Sequence, residues 1–330
     1  MDLRHGPLRP HPRRHRLRHE GLPARRALRL RGARGRPRRA RPASRRPGVP
    51  RAGEAVPRGE DHDRQLRADD GHPPHPRLHG PRGRTRVSDA LRILHLYPEE
   101  LGINGDRGNV TVLVERARIR GIRTEVVRHA PGGGHPGDAD LVIAGSGPLT
   151  AQRAVLPDLV SHARHLVALQ ESGVPLLAVG GGLQLLGESV RLVDGGELVG
   201  AGVLPVRTTL TAERRVGDLV LDTPEGELVG YENHGSTLDI GDALPLGTVR
   251  AGFGNSGQGG GEGVRVGASV GTHLGGPVLA LNPRLADELL AAALRRHGRE
   301  LPADISGTLD RLDGWAREAR ATVMARPAHY

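Results

Sequence analysis

PLLAVGGGLQLLG, residues 175–187, is the stretch on which the fold turns. Its first five residues form an apolar run of the length of a buried strand. Three glycines follow, Gly180, Gly181 and Gly182, and then a short amphipathic segment carrying Leu183, Leu185 and Leu186. Strand, tight turn and helix in that order make the elbow that lifts a nucleophile above the end of a parallel sheet. The helix N-terminus behind such a turn offers backbone N–H groups to a developing oxyanion. Here the lifted position, Gly180, carries no side chain.

Working outward, the flanking sequence alternates strand and helix patterns. Residues 91–96 and 124–127 read as strands, and residues 139–144 (ADLVIA) as a third that runs into Gly145, Ser146 and Gly147. Asn104 or Asp106 is placed to cap a helix over residues 110–120, and a long helix is expected over residues 150–172. Strands separated by helices predict a parallel, flavodoxin-like sheet with helices on both faces, whose ligands bind at the strands' carboxyl ends. Beyond residue 200 the texture changes. Short strands over residues 217–221, 227–231, 247–253 and 263–271, joined by glycine-rich turns, predict an antiparallel extension of the same domain. A helix ending near Arg296 follows, then a peripheral amphipathic helix around Trp315.

The chain has 330 residues and a net charge of +11, and every basic residue is arginine. That charge is unevenly divided. Residues 1–86 hold 25 arginines against 8 acidic residues and residues 87–330 hold 23 against 29, giving +17 and −6. The first segment is rich in Arg, Pro, Gly and His and cannot bury enough apolar surface to order itself. Three readings stand for it: out-of-frame translation of GC-rich DNA with the true start near Val87, a disordered arm, or an arm that binds phosphates by counterion release. No aromatic residue interleaves its arginines, which argues against a single-strand reader and against a nucleic-acid partner. The division expected is a tail over 1–86, a domain over 87–298 and a helical extension over 299–330. No run of 18 apolar residues predicts a transmembrane span, and no apolar core follows the basic start as in a secretory signal. A cytoplasmic protein is expected. The absence of cysteine removes disulfides and thiolate metal sites.

The elbow resembles the nucleophile segment of class I glutamine amidotransferases of the cobyric acid synthase-like (CobB/CobQ-like) branch, through Leu177, Ala178, Gly181, Gly182, Gln184, Leu185, Leu186 and Gly187. In that register the family's cysteine falls on Gly180. Further segments narrow the resemblance: LYPEELGINGDRGN (96–109), GYENHGS (230–236), GFGN (252–255) before EGV (262–264), and GTHLGGPVLALNP (271–283). In this order they are similar to the glutaminase subunits of lipid II isoglutaminyl synthases, the GatD family. The resemblance implies a subunit that hydrolyses glutamine and passes ammonia to a MurT-like Mur ligase. That ligase, using ATP, amidates the D-glutamate of the peptidoglycan stem peptide, so lipid II is reached through the partner. No cofactor and no metal are implied.

Glutamine hydrolysis of this kind needs a thiolate to attack the carboxamide and a histidine to carry protons. The family's histidine stands in G-T-Y-L-H-G-P, and here that position holds Gly275. Both members of the dyad are therefore missing, and glycine at an elbow keeps the turn while removing the chemistry. Ser146, Ser172 and Ser189 are the nearest hydroxyls, none on the turn itself. His273, two residues before Gly275, is either a displaced base or a polar residue near the surface, and His234 reads as a structural histidine of a loop. Backbone oxyanion donors are expected at Gly181 and Gly145, although the loop at 144–152 departs from the family's glycine triplet. Arg214 aligns with the family's arginine for the glutamine carboxylate, against a plain reading as a solvated side chain. Two functions follow: an amidotransferase subunit that has lost its glutaminase step, or a non-catalytic glutamine-sensing or scaffold subunit that regulates the ligase.

Overall fold

The computed structural model describes residues 90–326. The readings made for residues 1–86 and for the last four residues lie outside that range. In chain order the elements are β1 (Leu91–Leu96), α1 (Arg107–Ile119), β2 (Thr124–His129), β3 (Leu141–Ala144), α2 (Leu149–Ser161), α3 (Ala163–Glu171), β4 (Leu176–Val179) and α4 (Gly181–Leu186). The second half comprises β5 (Ser189–Arg191), β6 (Glu197–Val199), β7 (Arg207–Thr223), β8 (Gly226–Asp239), β9 (Gly247–Ala251), β10 (Gly261–Glu262), β11 (Val264–Val266) and β12 (Ser269–Thr272). Three helices close the chain: α5 (Val278–Leu281), α6 (Pro283–Arg295) and α7 (Thr308–Met324).

The expected α/β architecture is present. One sheet runs β11-β12-β4-β3-β1-β2, parallel throughout except for the edge strand β11. Its inner strands β1, β3, β4 and β12 are buried on both faces, so their side chains divide by the two-residue period of a strand. Leu91, Ile93, Leu177 and Val179 join α1, α5 and α6 in one core. Leu94, Leu96, Leu176 and Ala178 join α2, α3 and α4 in the other. The apolar runs read from the sequence therefore become the middle layer of a three-layer domain. Among the described residues no helix is long and apolar enough to cross a membrane.

The antiparallel extension is larger than the sequence suggests. β7 and β8 form one long hairpin, and β7 also pairs with β5 near its start (Arg207 to Thr209) and with β9 near its end (Val220 to Asp222), β6 and β10 extending the sheet beyond them. The segment expected as a single strand over 263–271 is instead the hairpin β11–β12, turned at Gly267 in the left-handed region (φ +59°). Its second strand belongs to the first sheet, parallel to β4. The helix expected over 150–172 is two helices, joined at His162, which leaves helical geometry (φ −101°, ψ 3°). α7 rests on the domain: Arg116 of α1 pairs with Asp287 of α6 at 2.7 Å and Asp313 of α7 at 2.6 Å.

Candidate functional site

β4 ends at Val179, and its continuation Gly180 sits beside β12, where its N–H donates to the Thr272 carbonyl (2.9 Å). Gly180 adopts φ +51°, ψ −111°, a conformation that L side chains rarely take, and α4 starts immediately after it. The turn is thus built as an elbow, at the carboxyl edge of the sheet. Gly182 is needed for packing, because a Cβ there would lie 2.6 Å from the Gly145 carbonyl oxygen. Gly275 follows β12 and exchanges backbone hydrogen bonds with Tyr231 of β8. Gly180 and Gly275 line the same cavity of about 390 Å³, together with Gly181, Arg214, Ser146 and His273.

The third strand's loop supplies what the sequence reading did not anticipate. Ser146 is remote from the turn in sequence, yet its Oγ stands 2.6 Å from where a Cβ on Gly180 would be. The same oxygen accepts the Gly181 N–H at 3.1 Å. Ser146 therefore fills the space of the missing side chain and occupies one expected oxyanion donor. Gly145, the other, sits behind the cavity wall: its carbonyl accepts the Gly182 N–H, and a Cβ on it would strike the Leu101 carbonyl at 2.2 Å. The cavity edge at this loop is made by Ser146 and Gly147 instead. Ser172 donates to the Leu169 carbonyl and Ser189 lies on β5, so neither reaches the cavity.

Asp106 precedes α1 but does not cap it. The carboxylate turns away and accepts the Ser146 N–H at 2.6 Å, which fixes the loop. Asp106 is fully buried, and burial pushes its carboxyl up to about 7 against the lowering effect of that hydrogen bond.

His273 is buried, not near the surface, because it follows a central strand and not an edge one. Its N–H donates to Glu262 (2.7 Å), and its Nε2 lies 3.2 Å from the Ser236 hydroxyl. Its ring stacks on His234 at 3.8 Å with planes 4° apart. His234, on β8 and not in a loop, reaches Glu232 with Nε2 and Ser236 with Nδ1, both at 3.1 Å. Burial holds His273 well below the ordinary imidazole range, helped by the neighbouring His234 and the Arg215 guanidinium. Burial also raises Glu262 to about 7. Of this network His234 and His273 line the cavity, with Glu232, Ser236 and Glu262 buried behind them. A neutral histidine bound to Ser236 is in a position to accept a proton, but its Nε2 is already engaged.

Arg214 lines the cavity from β7, exposed, with Nη2 donating to the backbone and side-chain oxygens of Asn233. Arg215 points the other way, buried, and donates to the Ser236 carbonyl at 2.9 Å. Alternation along the strand separates the two, leaving one guanidinium free to meet a carboxylate in the cavity. Glu232, Ser236 and Glu262 were missed by the sequence reading, and Asp106 was read only as a helix cap. The one signal for the first three was that GYENHGS and EGV fall within the motif order.

The chain is similar to several known proteins. The model of the CobB/CobQ-like glutamine amidotransferase domain matches residues 92–283. The chain is 34% identical over 210 residues to the Staphylococcus aureus (strain N315) lipid II isoglutaminyl synthase (glutamine-hydrolyzing) subunit GatD, covering 63% of this chain and 86% of that one. It is 31% identical over 218 residues to the GatD subunit of Streptococcus pneumoniae (strain ATCC BAA-255 / R6), covering 64% and 84%. A crystal structure of a glutamine amidotransferase superposes with a TM-score of 0.42 at 18% identity, over 61% of this chain and 98% of that one.

Proposed function

Because this chain belongs to the CobB/CobQ-like glutamine amidotransferase family, we propose that it is the glutamine amidotransferase subunit of a lipid II isoglutaminyl synthase. The observation that carries this is its match to two GatD subunits over most of their length. Its partner would be a MurT-like ligase that uses ATP to amidate the D-glutamate of lipid II. In this subunit the glutaminase step is lost. A chain without cysteine has no thiolate to offer, and Gly180 and Gly275 stand where the family's nucleophile and base are expected. Removing a nucleophile or its base costs several powers of ten in rate.

What remains is a cavity with a guanidinium on its rim and a buried polar floor. Arg214 would pair with the α-carboxylate of glutamine, and the Ser146 hydroxyl would face the carboxamide instead of a sulfur. The subunit then supports the ligase as a scaffold, with amidation drawing on free ammonia, or reports glutamine to it. The second role is favoured by the cavity being kept while its chemistry is gone.

The test is an amidation assay with the purified chain and its ligase, supplied with either glutamine or ammonium. Amidation with ammonium, and no glutamate released from glutamine with or without the ligase, is expected. Glutamine-supported amidation by the unmodified chain would overturn the loss of the step. Glutamine should also raise the melting temperature of wild type but not of Arg214→Ala, by ligand linkage; equal shifts in both would remove Arg214 from the site.

A further inference from the structure

A second cluster of chemistry-bearing side chains lies on the same sheet edge, two strands from the cavity and separate from the function proposed above. His129 ends β2, Asp158 stands in the last turn of α2, and His162 is the joint between α2 and α3. We propose that His129, Asp158 and His162 form a binding site for a divalent transition-metal ion of the zinc class. The ligand atoms of the three residues all lie within 4.8 Å of one another. Bonds of about 2.0–2.2 Å to zinc place two donors on one ion roughly 3–4 Å apart. The His162 Nε2 is already 3.9 Å from Asp158 Oδ1. His129 Nε2 and Asp158 Oδ2 share a hydrogen bond of 2.7 Å, which the ion replaces once the His129 proton resides on Nδ1.

The surroundings fit such a site. Asp158 also accepts the Tyr97 hydroxyl and the Gly132 N–H, both at 2.8 Å, so its carboxylate is held from behind as outer partners hold metal ligands. His162 packs edge-on between His129 (centroids 5.2 Å) and His135 (6.0 Å). Beside it, His135 and His165 hydrogen-bond to Gly137. Imidazole with carboxylate suits zinc, cobalt or nickel better than magnesium or calcium. A plain polar tie between α2 and β2 accounts for His129, Asp158 and Tyr97. It gives no reason for His162, whose nearest carboxylate oxygen is beyond hydrogen-bond distance, at a break in the helix.

The test uses the full chain, dialysed against chelator and then titrated with zinc chloride, with cobalt chloride as a spectroscopic probe. Wild type should gain melting temperature with zinc and show ligand-field absorption with cobalt. His162→Ala and His162→Gln should bind about tenfold or more weakly, the scale on which lost metal-site partners act, and Asp158→Asn likewise. The difference between wild type and the His162 variants isolates this site from the histidines elsewhere in the chain. Zinc shifts and cobalt spectra that are the same in wild type and in the His162 variants, or absent from both, would overturn the proposal.

Discussion

Gly180 and Ser146 must be considered together. The backbone of Gly180 holds an elbow conformation (φ +51°, ψ −111°) at the cavity wall, so a side chain placed there would enter the cavity. What opposes it is the Ser146 hydroxyl, 2.6 Å from the new Cβ, with the Ser146 Cβ itself at 3.0 Å. Gly275 is less hindered, with the Tyr231 carbonyl 3.0 Å from its Cβ position and no positive φ. Three outcomes follow for glutamate release measured with the ligase present. Gly180→Cys alone stays inactive for want of a base. Gly180→Cys with Gly275→His turns over. Adding Ser146→Gly raises the rate further, because it clears the thiol's space and frees the Gly181 N–H, and one oxyanion donor is worth about 10²–10³ in kcat. Equal rates for the double and triple variants would show that Ser146 swings aside at no cost.

Among the elements, those that decide the fold are the ones with the plainest patterns. β1 and β4 are apolar runs buried on both faces, bounded by turn residues, and they were legible to within a residue. β5 and β6 have three residues each, too few for any period to show. The β7–β8 hairpin was read as fragments because its register shifts between Leu210 and Arg215, where exposed residues interrupt the alternation. The elbow was legible for the same reason as β4, whereas the network behind the cavity was not. Glu232, Ser236 and Glu262 come from β8 and β10 and are joined to His234 and His273 only through the pairing of distant strands. The C-terminal helix is a similar case. Nothing in the sequence of α7 reveals that Asp313 shares the buried guanidinium of Arg116 with Asp287. Arg116→Met leaves Asp313 without its ion-pair partner and Asp287 with Arg120 alone, and should lower the unfolding free energy by about 2 kcal/mol, below the range for a fully broken buried pair because Asp287 keeps one guanidinium and both aspartates keep some contact with water. A urea titration reads this directly, and a loss under about 0.5 kcal/mol would mean that α7 is held by its other contacts, Leu309, Ala316 and the Arg320 bond to the Leu281 carbonyl.

At the scale of the whole molecule, the two sheets are joined by a carboxyl group. Glu262 lies on β10 of the second sheet and accepts hydrogen bonds from the Thr272 hydroxyl (2.9 Å) and the His273 N–H (2.7 Å) at the end of the first. It is raised from 4.5 to about 7 by burial, and Asp106 is likewise raised from 3.8 to about 7. Between those limits the folded chain holds more protons than the unfolded one. The stability these groups contribute is therefore complete below their unfolded values and is lost as pH rises through about 7. Two buried histidines act in the opposite sense. His95 is lowered from 6.5 to about 4 by burial, and His273 also falls well below 6.5, so their contribution is present above 6.5 and fades as pH falls toward their folded values. The two pairs oppose each other between about 4.5 and 6.5, and only the carboxyls act above that. Stability should accordingly change little between about pH 4.5 and 6.5 and decline from there toward pH 8. Glu262→Gln keeps an oxygen for the His273 backbone N–H and turns its amide N–H to the Thr272 hydroxyl oxygen, as a protonated carboxyl would, but carries no proton to lose. It should shrink the difference in unfolding free energy between pH 6.5 and 8 by an amount of order 1 kcal/mol. Denaturant midpoints of wild type and variant at the two pH values measure it. If the variant shows the same fall as wild type, Glu262 is ionised throughout and the junction between the sheets holds a buried charge.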